Sequence, residues 1–227
     1  MLPLTVMHLA WGGPVEVYKS MYLEGWALKV ESGLVQDQPE LWSSVRRELQ
    51  TQLYRIAHIV PDDPLKKLRQ VRIWIHLKAP VTACMAYHPG AEYLSEHKMN
   101  PEMAKGVEIG DANNFVSWTY EQPWMLMHEL AHAFHDRFLD KGFENDCVMK
   151  AYREAVEKKS YESVLHWDGA SVRHYALTNQ MEYFAETTEA YFGHNDFYPF
   201  VNAELKTFDP VGLALMKQVW GEPQKRK

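Results

Sequence analysis

Between Trp124 and Phe134 the sequence runs W-M-L-M-H-E-L-A-H-A-F, and its only polar residues are His128, Glu129 and His132. At 100° per residue His132 falls about 40° round a helix from His128 and about 6 Å further along its axis, with Glu129 about 100° from His128 on the same side. Met127, Leu130, Ala131 and Phe134 take the opposite arc, where they can pack into a core. Two imidazoles and a carboxylate buried without partners would cost on the order of several kcal/mol, so something must satisfy them. A zinc ion does so with chemistry to match. Neutral imidazoles one turn apart can both reach a metal at about 2.0–2.1 Å, and the glutamate between them can hold a water beside it. Composition alone yields H-E-x-x-H about 0.05 times in a chain of this make-up, so the pattern is informative without being decisive. The alternative is a core helix whose histidines bond carbonyls and whose glutamate meets an arginine.

A catalytic zinc takes three protein ligands and keeps one position open. His135 lies seven residues beyond His128, about 10.5 Å along the axis, too far for both to share one ion, and reads as a supporting or surface group. The longer pattern H-E-x-x-H-x-x-G-x-x-H fails as well, because positions 135 and 138 are histidine and phenylalanine. The third ligand must come from another element. Asn179 to Phe192 places Glu182, Glu186 and Glu189 at i, i+4 and i+7, three like charges on one helix face that call for a nearby cation. Equally open is a plain capping arrangement, Asn179 with Glu182, in which Glu186 and Glu189 are solvated.

H-E-L-A-H followed 50 residues later by Y-A-L-T-N-Q-M-E-Y-F-A-E resembles the glutamate zincins, in particular the lethal-factor-like catalytic domains and bacterial metallopeptidases that share their core. The similarity spans Gln122 to Phe192, 71 of 227 residues. It implies a zincin-like α+β domain that hydrolyses peptide bonds, with His128, His132 and Glu182 as ligands of one catalytic Zn2+ and Glu186 orienting a zinc-binding histidine. It also implies that Tyr175, seven residues before Glu182, faces the reacting carbonyl, with His174 as the alternative donor. Glu129 is then the general base. The substrate-recruiting domains of the lethal-factor group have no counterpart here, and Asp111 to Phe115 is only loosely similar to the upper-rim strand of zincins. Two rivals stand beside this reading: a non-catalytic zinc-binding interaction module, and a hydrolase of a non-peptide amide.

Several elements must position these groups. Trp26, Leu28 and Val30 alternate as a strand; Leu41, Val45, Leu49, Leu53 and Ile56 recur at helical spacing behind Pro39; Val71, Ile73, Ile75 and Leu77 alternate as a half-buried strand. A short extended piece is expected from Ala83 to Tyr87, with a turn at Tyr87-His88-Pro89. A short helix follows Asn100-Pro101, then an extended segment runs from Val107 to Ala112. That segment, with Val107, Glu108, Ile109 and Gly110, is either an exposed edge that pairs with a substrate peptide or an ordinary internal strand. Helices are expected over Pro123–Leu139, Asn145–Lys158, Asn179–Phe192 and Pro210–Trp220. Strands first and helices last favour α+β over a doubly wound sheet.

Composition bounds the rest. A chain with 46% hydrophobic and 24% charged residues buries a real core, and no repeat or linker divides it, so residues 1–227 read as one domain. A net charge of −6 argues against nucleic acid as a partner, and no stretch approaches the roughly 20 apolar residues of a membrane span. The expected partner is a peptide or protein substrate. Met1 to Trp11 is apolar without the basic flank or cleavage site of a signal peptide. Secretion, oligomeric state and pairing of Cys84 with Cys147 stay open.

Overall fold

The computed structural model describes residues 18–224, so the reading of Met1 to Trp11 lies outside the described residues. In chain order the strands are β1 (Tyr18–Leu23), β2 (Trp26–Glu31), β3 (Ile73–Ile75), β4 (Met85–Tyr87), β5 (Val107–Ile109), β6 (Val164–Leu165) and β7 (Ser171–Val172). The α-helices are α1 (Ser32–Asp37), α2 (Pro39–Ile59), α3 (Asp62–Leu68), α4 (Ala91–Glu96), α5 (Ala112–Trp118), α6 (Met125–Phe138), α7 (Asp146–Lys158), α8 (Gln180–Phe192), α9 (Asn202–Phe208) and α10 (Pro210–Trp220). The architecture is α+β: a five-stranded mixed sheet in the first half and a helical second half. Among the described residues, no helix is long and apolar enough to cross a membrane.

The sheet order is β1-β2-β3-β5-β4, with β2, β3 and β5 parallel and the two edges, β1 and β4, antiparallel to their neighbours. β1 and β2 turn through Glu24 and Gly25, both at positive φ (50° and 94°), the conformation a two-residue hairpin needs. One face of the sheet carries Leu28, Val30, Ile73 and Ile75 into a core shared with Val45, Leu49 and Leu53 of α2 and Met127, Leu130 and Phe134 of α6. The other face is covered too. Trp74 packs with Leu94, Met99 and Met103, so Trp74 and His76, expected on an exposed face, are buried.

The long amphipathic helices lie where their periodicity puts them. Five short helices between and after the strands were not expected, since six or seven residues give too few turns for a period to register. One of them corrects the segment Val107 to Ala112. Its strand ends at Ile109, and Asp111 turns the chain into α5 by accepting from Asn113 N at 2.9 Å and Asn114 N at 3.0 Å. The Asp111 to Phe115 stretch is therefore a cap and a helix, not a rim strand. Cys84 is buried, Cys147 is exposed and both are free, so they form no disulfide.

Candidate metal centre

α6 and α8 pack side by side, and their facing polar residues meet. His128 and His132 bring their rings to 4.7 Å between centroids. Glu182 Oε2 lies 3.1 Å from His128 Nε2 and 3.2 Å from His132 Nε2. In a tetrahedral shell with bonds of about 2.0–2.1 Å, neighbouring ligand atoms stand roughly 3.3 Å apart. The separations here fit such a shell, and the donor set of two imidazoles and a carboxylate suits zinc. Asn179 caps α8 by accepting from Met181 N at 2.8 Å and Glu182 N at 2.9 Å, while the Glu182 carboxylate turns to the histidines. The cap of Asn179 and the approach of Glu182 to the two histidines thus coexist, on different atoms.

α8 is buried along nearly its whole length, from Tyr183 to Phe192, which takes Glu186 and Glu189 out of water. Glu189 Oε1 is 2.8 Å from His128 Nδ1, and Glu186 Oε1 is 3.4 Å from the same nitrogen. The carboxylate closer to His128 is thus Glu189 rather than Glu186, and both are buried, against the reading of the helix in which they are solvated. Glu186 is held by Asn195, whose Nδ2 donates to Oε2 at 2.8 Å. A signal for Glu189 was in the sequence: Tyr183, Phe184, Ala185, Ala190, Tyr191 and Phe192 surround it with apolar residues and leave a helix no solvated face. Asn195 and Tyr87 had no such signal.

The charges explain why a cation fits. Burial opposes a charged imidazole, but contacts with Glu182 and Glu189 prevail and hold His128 well above its ordinary value. Burial likewise opposes the Glu182 anion, and the two histidines outweigh it, holding that carboxyl far below the usual range. Burial, with repulsion from neighbouring carboxylates, holds Glu186 and Glu189 above theirs. Negative charge is concentrated here beyond what the histidines neutralise.

Glu129 points to the sheet side of the site, where Oε2 accepts the backbone N–H of Tyr87 at 2.7 Å. Tyr87 is clamped again through its hydroxyl, which donates to Asp136 of α6 at 2.5 Å. Tyr175 is 48% exposed, with its ring 6.5 Å from that of His128. Burial, then Glu182, pushes its phenol upward, so it keeps its proton and can donate. The two histidines, Glu129, Tyr87, Tyr175 and the three α8 carboxylates line one cleft of about 510 Å³, together with Met85, Ala86, Gln122, His166, Asp196 and Phe197.

Other expected site residues lie elsewhere. Val107, Glu108 and Ile109 form an interior strand, flanked by β3 and β4, so their backbone is already paired and cannot take a peptide; β4 is the edge. Gly110 is locked beside Thr82, where a Cβ would sit 2.4 Å from the Thr82 carbonyl oxygen. Glu108 is buried at the centre of a closed polar group: Oε1 lies 2.7 Å from His76 Nδ1, and Oε2 is 2.9 Å from His88 Nε2 and accepts from Thr82 Oγ1 at 2.5 Å. Those contacts outweigh burial and hold its carboxyl down at about 2. His174 is buried and stacked on Phe197, where desolvation lowers it to about 3; its Nδ1 accepts from Ala176 N at 3.0 Å. It caps the turn that presents Tyr175 and does not reach the cleft. His135 is neither a surface nor a supporting group. It is buried between Phe143 and Phe184 with both ring nitrogens unpartnered, and desolvation lowers it to about 4.

No family model and no curated protein matches the chain. Among solved structures it is similar to the PRO-PRO endopeptidase PPEP-2 from Paenibacillus alvei, at 19% identity and a TM-score of 0.46, over 85% of this chain and 96% of that one.

Proposed function

We propose that the protein is a zinc-dependent endopeptidase of zincin-like arrangement. The observation that carries this reading is the convergence of three ligand atoms, His128 Nε2, His132 Nε2 and Glu182 Oε2, at the wall of an open cleft that also holds Glu129 and Tyr175. A closed structural zinc site would bring a fourth ligand and no cleft. Zinc in this site would lower the pKa of a water and polarise the scissile carbonyl. Glu129 accepts a proton as the water oxygen bonds to the carbonyl carbon, then delivers it to the amide nitrogen as the C–N bond breaks, leaving a carboxylate and an amine. The Tyr175 hydroxyl donates to the oxygen that becomes negative between those steps. Glu189 fixes the His128 ring through Nδ1, and Asn195 steadies the neighbouring Glu186.

A peptide is favoured over another amide by the position of β4 at the edge of the sheet among the described strands. Cys84 O accepts from Gly110 N and His88 N donates to Gly106 O, so Met85 and Tyr87 turn their backbone groups away from β5. The Tyr87 N–H meets Glu129 there, and a substrate strand would pair along the rest of that edge. An extended substrate can add there as a further strand. Elemental analysis with cleavage of a peptide library tests the whole reading. One zinc per chain is expected, and Glu129→Gln should cut turnover by about 1,000-fold or more with the metal retained. Loss of zinc from that variant, or undiminished cleavage, overturns the assignment.

A further inference from the structure

Of the carboxylates lining the cleft, four have partners that explain them: Glu182 and Glu189 meet the histidines, Glu186 meets both His128 at 3.4 Å and Asn195, and Glu129 meets Tyr87 N. Asp196 differs. It is 6% exposed, and its side-chain contacts are a neutral amide, Gln122 Nε2 donating to Oδ2 at 3.2 Å, and His166 Nε2 at 3.9 Å, beyond hydrogen-bonding distance. His166 is itself engaged through Nδ1 by Asp168 at 2.9 Å. Among the described residues no lysine or arginine lies within 4 Å of Asp196. A carboxylate so deeply buried is costly unless a cation joins it, and burial accordingly pushes its carboxyl above the ordinary range.

Beside Asp196 the cleft wall is aromatic, lined by His166 and Phe197, and an exposed aromatic pair adjoins it along the chain. Tyr120 is 84% exposed and Trp167 40%, and they meet edge to face at 6.1 Å between ring centroids. His166 packs against Phe197 at 4.8 Å, and Trp167 N donates to the Asp196 carbonyl oxygen at 2.8 Å, which ties rim to floor. Aromatic rings that share a cleft wall with a buried carboxylate can attract a cation by their quadrupole and cover an aliphatic stem. We propose that the Gln122–His166–Asp196 end of the cleft is a subsite for a basic substrate side chain, lysine or arginine, with Asp196 as the residue that selects it. This rests on the peptidase reading for the identity of the ligand.

Peptides carrying one arginine moved through successive positions, each matched by a citrulline peptide of the same shape, separate charge from size. Cleavage is followed with the zinc-loaded full chain, and affinity is titrated on the zinc-loaded Glu129→Gln protein, where turnover is not needed. At one position arginine should bind at least about 10-fold tighter than citrulline, falling below about threefold in Asp196→Asn with citrulline peptides unchanged. Trp167→Ala, on the exposed rim, should weaken the arginine peptide alone by about threefold. Equal affinity for arginine and citrulline at every position, or a preference that survives Asp196→Asn, overturns the subsite. Absence of cleavage by the parent protein sinks the peptidase reading alone if the arginine preference persists in the titration. If no peptide binds, both fall.

Discussion

Two groups of histidines and carboxylates are buried in this molecule, and they are built to opposite plans. In one, His128 and His132 stand one turn apart on α6, and their Nε2 atoms close on a single oxygen of Glu182. In the other, His76, His88 and Thr82 come from three separate stretches and surround Glu108, each imidazole taking a different oxygen. The first brings its ligand atoms within 4.8 Å of one another beside open space; the second is not among the groups that do. Helical spacing forces two nitrogens toward one point, whereas a central carboxylate draws them apart. Residue types alone therefore do not make a metal site: the first group converges on one point where an ion could sit, and the second fastens β4 into the sheet.

The contrast can be broken most forcefully with the two tyrosines. Tyr175→Phe should lower turnover by about 100- to 1,000-fold with zinc content unchanged, as expected for a donor to developing charge. Tyr18→Phe, which removes the hydroxyl 2.6 Å from His76 Nε2, should leave turnover within about twofold by the scale of a peripheral contact. Steady-state kinetics on the metal-replete proteins decides; a loss below about threefold for Tyr175→Phe would move the donor role away from it. Next comes chelator titration of two isosteric variants. Glu182→Gln should weaken zinc binding by more than about 100-fold, beyond the loss of a supporting carboxylate, while Glu108→Gln leaves it unchanged. Equal affinities would make Glu182 a mere capping neighbour.

Within the first group, Glu189→Gln should cost about 10- to 100-fold in zinc affinity, and Glu186→Gln less, following their 2.8 Å and 3.4 Å approaches to His128 Nδ1. The reverse order in the same titration would restore the orienting role to Glu186. The smallest effect at neutral pH concerns His135. Its folded pKa of about 4 lies below the ordinary 6.5, so its full contribution is present above 6.5 and is lost as pH falls toward 4, when the unfolded chain takes a proton that the folded one refuses. His135→Leu should therefore gain stability relative to the parent over that window, by roughly 2 to 3 kcal/mol at its lower end. Urea denaturation at pH 7, 5.5 and 4.5 measures it, and a constant difference across the three would count against a buried neutral imidazole.

Much of this was legible in the sequence where a period is long enough to count. The faces of α2, α6 and α8 and the pairing of His128 with His132 follow from spacings along single helices, whereas the place of Glu182 comes from the family resemblance, since spacing leaves capping and ligation equally open. Contacts made across the sheet were not. Whether Val107–Ile109 lies inside or at the edge depends on strand order, which three residues cannot encode; the edge is Met85–Tyr87. The Tyr87 N–H on Glu129 is a backbone contact, for which no side chain could give a sign. His135 misled for another reason: its polarity suggested a surface, and the aromatic packing of Phe143 and Phe184 prevailed.

Glu108 also governs how the cleft breathes. A strand of three residues at a sheet edge ordinarily opens by itself, and its amide protons trade with solvent as quickly as those of a loop. Freeing Met85–Tyr87 here means parting Thr82 before the strand and His88 after it from a carboxylate that no water reaches. That wall should therefore keep the slow exchange clock of the sheet interior, and whatever enters the cleft would meet an edge already rigid.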